Sequence, residues 1–276
     1  MTITLALATG LVTGLALAPG VADPAHAAPT CHGRAATIVG TAGDDQITGT
    51  DQPDVIVTRG GDDHVTARGG RDVICLGGGA DVADGGAGND FVRAGAGPDY
   101  VAGTVDRDRV LGNRGRDVLF VTSPAGTDAD GGRGDDAVTV NLSPTRARVS
   151  VVGGPGWNQI GFSVGGSGLD VEVDQAAGTV HIGGRPGTFS GFDYVSLSGD
   201  QQWTYGGTDA PESVTALEGA LTAQLLGGAD QVWTGDGDDW LDGGDGHDSS
   251  LGVGGGTNVC ISIEVVDSGV CSPPGD

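Results

Sequence analysis

The sequence predicts an all-β protein: a parallel β-solenoid in two repeat arrays, joined by an irregular β segment. Three observations carry this expectation. A nine-residue period runs from Gly40 to Phe120 and returns near the C-terminus. Gly and Asp, residues of turns rather than helices, dominate the composition, with 55 glycines in 276 residues. Between the arrays apolar residues alternate with a period of two, as in Val171-Glu172-Val173 and Val180-His181-Ile182, which is a strand pattern.

The first array has nine units, beginning at Gly40, Gly49, Thr58, Ala67, Leu76, Gly85, Ala94, Gly103 and Gly112. Position six is Asp in every unit: Asp45, Asp54, Asp63, Asp72, Asp81, Asp90, Asp99, Asp108 and Asp117. Position eight is apolar throughout, from Ile47 to Leu119, and position four is Gly except at Gln52 and Asp106. A further unit, GGRGDDAVT from Gly131 to Thr139, follows an insertion and places Asp136 at position six. The second array begins units at Gly207, Ala216, Leu225, Thr234, Gly243 and Gly252. Its central units carry Asp230, Asp239 and Asp248 at position six; the outer ones carry Glu212, Leu221 and Thr257. Self-similarity at a fixed period implies stacked coils rather than a globule. The chain is accordingly divided into residues 1–27, 28–139 (first array), 140–206 (irregular β) and 207–276 (second array with a disulfide cap).

Charge narrows the partners. There are 37 acidic and 13 basic residues, a net charge of -24, and every basic residue is Arg. Such a chain repels nucleic acid and anionic membranes and attracts cations. Low aromatic content with high charge is also the composition of disorder; the regular apolar positions argue against it for the cation-loaded state. Residues 1–27 read as an export signal, with an apolar run from Leu5 to Ala18 and an A-x-A site at Ala25-His26-Ala27. That run is interrupted by Gly10 and Gly14 and is shorter than the ~20 residues of a membrane span. Cys31, Cys75, Cys260 and Cys271 fit an oxidising, extracellular setting. Three pairings are open. Cys31–Cys75 with Cys260–Cys271 is preferred, because each then ties one end of the repeat region.

One unit is a glycine turn followed by a short strand. Two units make one coil, so units n and n+2 stack about 4.8 Å apart. Their position-six carboxylates then form a row along each edge: Asp45, Asp63, Asp81, Asp99 and Asp117 on one, Asp54, Asp72, Asp90 and Asp108 on the other. Carboxylates at that spacing repel one another where water is scarce. An oxygen-seeking cation between turns removes the repulsion. Ca²⁺ takes six to eight oxygens from carboxylates and carbonyls, whereas Mg²⁺ demands a stricter octahedron. Zinc would require His or Cys, which these turns mostly lack. In the second array only Asp230 and Asp248 are expected to stack, with Asp239 facing Leu221 and Thr257. Arg71, Arg107 and Arg116, beside position six, are further candidates to replace a cation. Fewer sites than motifs are expected.

These units resemble the RTX, or haemolysin-type, calcium-binding nonapeptide GGxGxDxUx; GGAGNDFVR, Gly85 to Arg93, matches it at every fixed position. The resemblance covers about half of the chain. It implies a parallel β-roll with calcium held between turns by position-six carboxylates and turn carbonyls. The closing segment GGGTNVCISIEVVDSGVC is similar to that of secreted bacterial calcium-binding proteins of this kind. The expected function is calcium binding coupled to folding of a secreted, non-catalytic protein, with any cell-surface or matrix partner undefined.

The sequence offers two other readings. Gly161-Phe162-Ser163-Val164-Gly165 has the G-x-S-x-G form, with Asp170, Asp174 and His181 following in esterase order. A nucleophile elbow needs a helix after its Ser, and turn and strand residues follow here. No HExxH is present among His26, His32, His64, His181 and His247. Trp233 and Trp240 are candidates for surface recognition, with packing on the sheet as the plainer role.

Overall fold

The computed structural model describes residues 28–102, 106–123, 126–142, 149–165, 170–252, 254–266 and 271–272. The predicted export signal lies outside the described residues. Among them there is no helix: short strands alternate with glycine turns and wind into a parallel β-solenoid. Among the described residues no helix is long and apolar enough to cross a membrane.

The coils stack into two sheets of 12 and 15 strands. In the first, Gln46, His64, Val82, Tyr100 and Val118 pair in parallel register. In the second, Ile38, Ile56, Ile74, Val92 and Val110 do so. Equivalent residues are 18 positions apart, so one coil is two nine-residue units. The strands of 140–206 continue both sheets: Val118 pairs with Ala137, Ala137 with Gln159, Gln159 with Tyr194, and Tyr194 with Ser213. Longer coils are accommodated as loops and, in the larger sheet alone, as the strand Thr179–Ile182 lying antiparallel between Asp170–Asp174 and Arg185–Ser190.

Position eight points inward, as a period-two strand requires. Ile56, Val65, Ile74, Ala83, Val92, Val101, Val110 and Leu119 are buried in one continuous core, while Ile47 at the open end is partly buried. The core varies along the solenoid. In the middle it fills with Phe162, Phe189, Phe192, Trp203 and Tyr205. The Phe162 and Phe189 rings meet edge-on at 5.8 Å. Position-eight Ala and Val suffice where coils are short; the longer coils enclose more space and need larger side chains.

Two disulfides tie the chain, Cys31–Cys75 and Cys260–Cys271, with Cα separations of 5.8 and 5.4 Å. The first holds the hairpin Thr30–Cys31/Arg34–Ala35 against the outer face of the larger sheet. There Cys31, Val55, Val57, Val73 and Cys75 form a second small cluster, and His32 stacks on Phe91 at 4.2 Å.

Candidate metal centre

The turns repeat because their backbone must. Gly79, Gly88, Gly97 and Gly115, all at position four, have φ between +124° and +144°. A Cβ at Gly88 would collide with the carbonyl of Gly70 in the coil below. Only glycine allows both the left-handed conformation and the close stacking of turn on turn.

Each turn delivers its Asp to the start of the next strand. The backbone N–H of Asp45 donates to Oδ1 of Asp63 at 2.9 Å, Asp63 to Asp81 at 2.8 Å, and Asp81 to Asp99 at 2.9 Å. Asp99 donates to Asp117 and Asp117 to Asp136, both at 2.9 Å. On the other edge Asp54 donates to Asp72 at 2.8 Å, Asp72 to Asp90 at 2.9 Å, and Asp90 to Asp108 at 2.9 Å. Two rows of carboxylates therefore run along the solenoid, and from Asp63 and Asp72 onward one oxygen of each is committed to the backbone of its neighbour.

The second oxygen is the informative one. Oδ2 of Asp63, Asp72, Asp81, Asp90, Asp99, Asp117, Asp136, Asp230 and Asp248 is buried and accepts no hydrogen bond. It points back into its own turn; a Cβ on Gly85 would lie 3.0 Å from Asp90 Oδ2, and one on Gly131 2.6 Å from Asp136 Oδ2. A buried anionic oxygen with no donor is costly. Asp45 and Asp54, in the first two units, escape that cost. Thr41 donates to Asp45 Oδ2 through its N–H and hydroxyl at 2.6 and 3.1 Å, and Thr50 to Asp54 Oδ2 at 2.8 and 2.9 Å.

The cost appears as raised pKa values. Burial pushes Asp90 and Asp99 up to about 7, and the Asp117 and Asp230 carboxyls to about 6. Bonds from the preceding Asp N–H oppose the shift, and stacked carboxylates add to it. Asp72, Asp81, Asp136, Asp239 and Glu212 are raised for the same leading reason.

The donor set fits calcium. Among the described residues no three His, Cys, Asp or Glu side chains converge on one point. A cation there must take most of its oxygens from backbone carbonyls, with one or two carboxylates, which suits a hard, flexible, oxygen-coordinated ion. Arg71 and Arg116 do not substitute for it. Both are exposed, and among the described residues neither pairs with Asp72 or Asp117.

In the second array Asp230 stacks on Asp248, 2.9 Å from N–H to Oδ1, and Glu212 stacks on Asp230 at 2.8 Å. Asp239 accepts from the N–H of Leu221 at 2.9 Å, but its other neighbour is Asn258 rather than Thr257. The final coil has one more residue, so Asp239 and Asn258 are 19 positions apart, and Thr257 lines up with Asp238. Sequence reasoning also missed members of the first row. Beyond Asp136 it continues through Asn158 and Asp193, and beyond Asp248 it reaches Glu264. The signal for Asn158 was present: GGPGWNQIG, from Gly153, is the same unit with Asn at position six.

The esterase constellation is not assembled. Ser163 lies in the strand Gln159–Val164 of the smaller sheet, while Asp170, Asp174 and His181 lie in the larger one. Ser163 and His181 both alternate with buried neighbours, so they face outward from opposite sheets. His181 instead approaches Glu172 at 3.7 Å. Trp233 and Trp240 likewise occupy different sheets and share no platform.

Stacked glycine turns with paired carboxylate rows define a metal-binding β-solenoid. Comparison with known families matches residues 34–52, 39–74, 48–83, 84–119 and 224–256 to the RTX calcium-binding nonapeptide repeat. Over those residues the chain carries RTX repeats: their turns are calcium-binding repeats, and the parallel solenoid is consistent with the β-roll such repeats build. No curated protein matches it.

Proposed function

We propose that calcium is held between successive turns by Asp63, Asp81, Asp99, Asp117 and Asp136 on one edge and by Asp72, Asp90 and Asp108 on the other. Asp230, Asp248 and Asp239 serve the second array, and Asp45 and Asp54 border the rows. The bound ion supplies positive charge between turn and turn. The chain's own part is to present buried carboxylate oxygens, Oδ2 of Asp63, Asp72, Asp81, Asp90, Asp99, Asp117, Asp136, Asp230 and Asp248, that accept no hydrogen bond among the described residues. That single observation, the buried Oδ2 row, supports the reading. Without cations each row destabilises the fold; with them each turn is tied to the next.

The protein is a secreted, non-catalytic structural module that completes its folding in a calcium-rich exterior. Its two disulfides and its Asp-rich, Lys-free surface suit that location. A hydrolase is disfavoured because Ser163 and His181 are on opposite faces. A cleft of about 620 Å³ beside the strands Asp170–Asp174 and Thr179–Ile182 is lined by Gly154, Gln175, Phe189 and Asp193 among others and includes neither. The test is replacement of Asp81 and Asp99 together by Ala. Calcium stoichiometry measured by native mass spectrometry should fall, and an unchanged count would assign binding elsewhere.

A further inference from the structure

Position six is not always a carboxylate. Asn158 occupies it in the turn Gly153–Gly161, and Asn258 occupies it in the last coil. Both are buried. Each uses Oδ1 as the Asp residues do: Asn158 accepts the N–H of Asp136 at 2.9 Å, and Asn258 that of Asp239 at 3.0 Å. Because Oδ1 is fixed as the acceptor, the amide nitrogen must take the place of Oδ2. The geometry agrees. A Cβ on Gly153 would lie 2.9 Å from Asn158 Nδ2, just as one on Gly131 would lie 2.6 Å from Asp136 Oδ2.

In that place Nδ2 finds only oxygens. It donates to the carbonyls of Gly154 at 2.8 Å and Gly191 at 2.9 Å, with Gly156 more distant at 3.4 Å. Asn258 Nδ2 donates to the carbonyl of Gly254 at 3.2 Å. The same cradle of turn carbonyls faces an unsatisfied carboxylate in the neighbouring coil and a satisfied amide here.

We propose that Asn158 and Asn258 are metal-free closures, at which a side-chain amide does the work that a cation does elsewhere. The calcium row on the Asp136 edge is thereby interrupted at Asn158, and the opposite row ends at Asn258. The coils around Asn158 are then locked whether or not calcium is present. The same stretch carries the aromatic core of Phe162 and Phe189. This inference rests on calcium occupying the turns, as proposed above.

The experiment compares wild type, N158D and N158A. Calcium stoichiometry is read by native mass spectrometry, and thermal unfolding is followed in EDTA and in calcium. N158D should bind one more calcium than wild type and melt several degrees lower in EDTA, with the loss recovered in calcium. N158A should keep the wild-type count and melt lower in both conditions. Retention of the wild-type count by N158D, folded in calcium by circular dichroism, would overturn the proposal. Identical melting of N158A and wild type in EDTA would overturn it as well. Failure of wild type to bind any calcium would instead remove the reading on which it rests.

Discussion

At the scale of single residues, each nonapeptide separates two requirements. At Gly79, Gly88, Gly97 and Gly115 position four has a backbone that only glycine supplies, and the position-six carboxylates present an oxygen with a free lone pair. Gly88→Ala attacks the first. With φ at +134° and the Gly70 carbonyl against the new methyl, it should cost more than about 2 kcal/mol in thermal unfolding with calcium present. The carboxylates give a pH dependence. Asp90 and Asp99 titrate near 7 in the metal-free fold, against about 3.9 when unfolded. Between those values the fold binds more protons than the unfolded chain, so the calcium-free protein loses stability as pH rises from about 4 to 7. Calcium needs the ionised form, so its apparent affinity should fall as pH drops below about 7. Melting in EDTA from pH 5 to 8 should show the first trend, and calcium titrations over the same range the second. A calcium-free protein more stable at pH 8 than at pH 5 would contradict the burial of these groups.

At the scale of elements, the two arrays and the segment between them differ in what holds them. The first array pairs small position-eight residues with rows of unsatisfied carboxylates. The strands between 149 and 224 enclose Phe162, Phe189, Trp203 and Tyr205 and include the Asn158 turn. Hydrogen exchange in EDTA should therefore leave Gln159–Val164 and Tyr194–Ser198 protected while Phe91–Ala96 and Tyr100–Ala102 exchange rapidly. Uniform exchange along the chain would show that the coils open as one unit. The first array was legible in the sequence because position six and position eight repeat without a gap from Asp45 to Leu119, and such a register has one physical solution. The middle was less so. Its strands were visible as alternation, but coil lengths there vary, and no period shows which strand lies beside which. GGPGWNQIG carries no carboxylate at position six to mark it as a unit, and a single added residue shifts the register from Thr257 to Asn258 without changing the glycine pattern.

At the scale of the whole molecule, a chain of net charge -24 lays rows of carboxylates along two edges of the solenoid. Repulsion along those edges opposes folding, and cations placed between the turns relieve it. Each site filled at ten times its Kd adds about 1.4 kcal/mol, so several together rival the net stability of a domain. The disulfides act at the two ends of the roll and do not touch the rows, so reduction should lower stability without changing calcium stoichiometry. The central claim is that calcium binding and folding of the repeat arrays are one equilibrium, and a titration tests it most directly. The protein is stripped with EDTA and calcium is added while far-UV circular dichroism is recorded. A cooperative gain of strand signal between micromolar and millimolar calcium, not reproduced by equal magnesium, is the predicted result. A strand spectrum unchanged from chelator to saturating calcium would contradict it, and would reduce the Asp rows to turn chemistry alone.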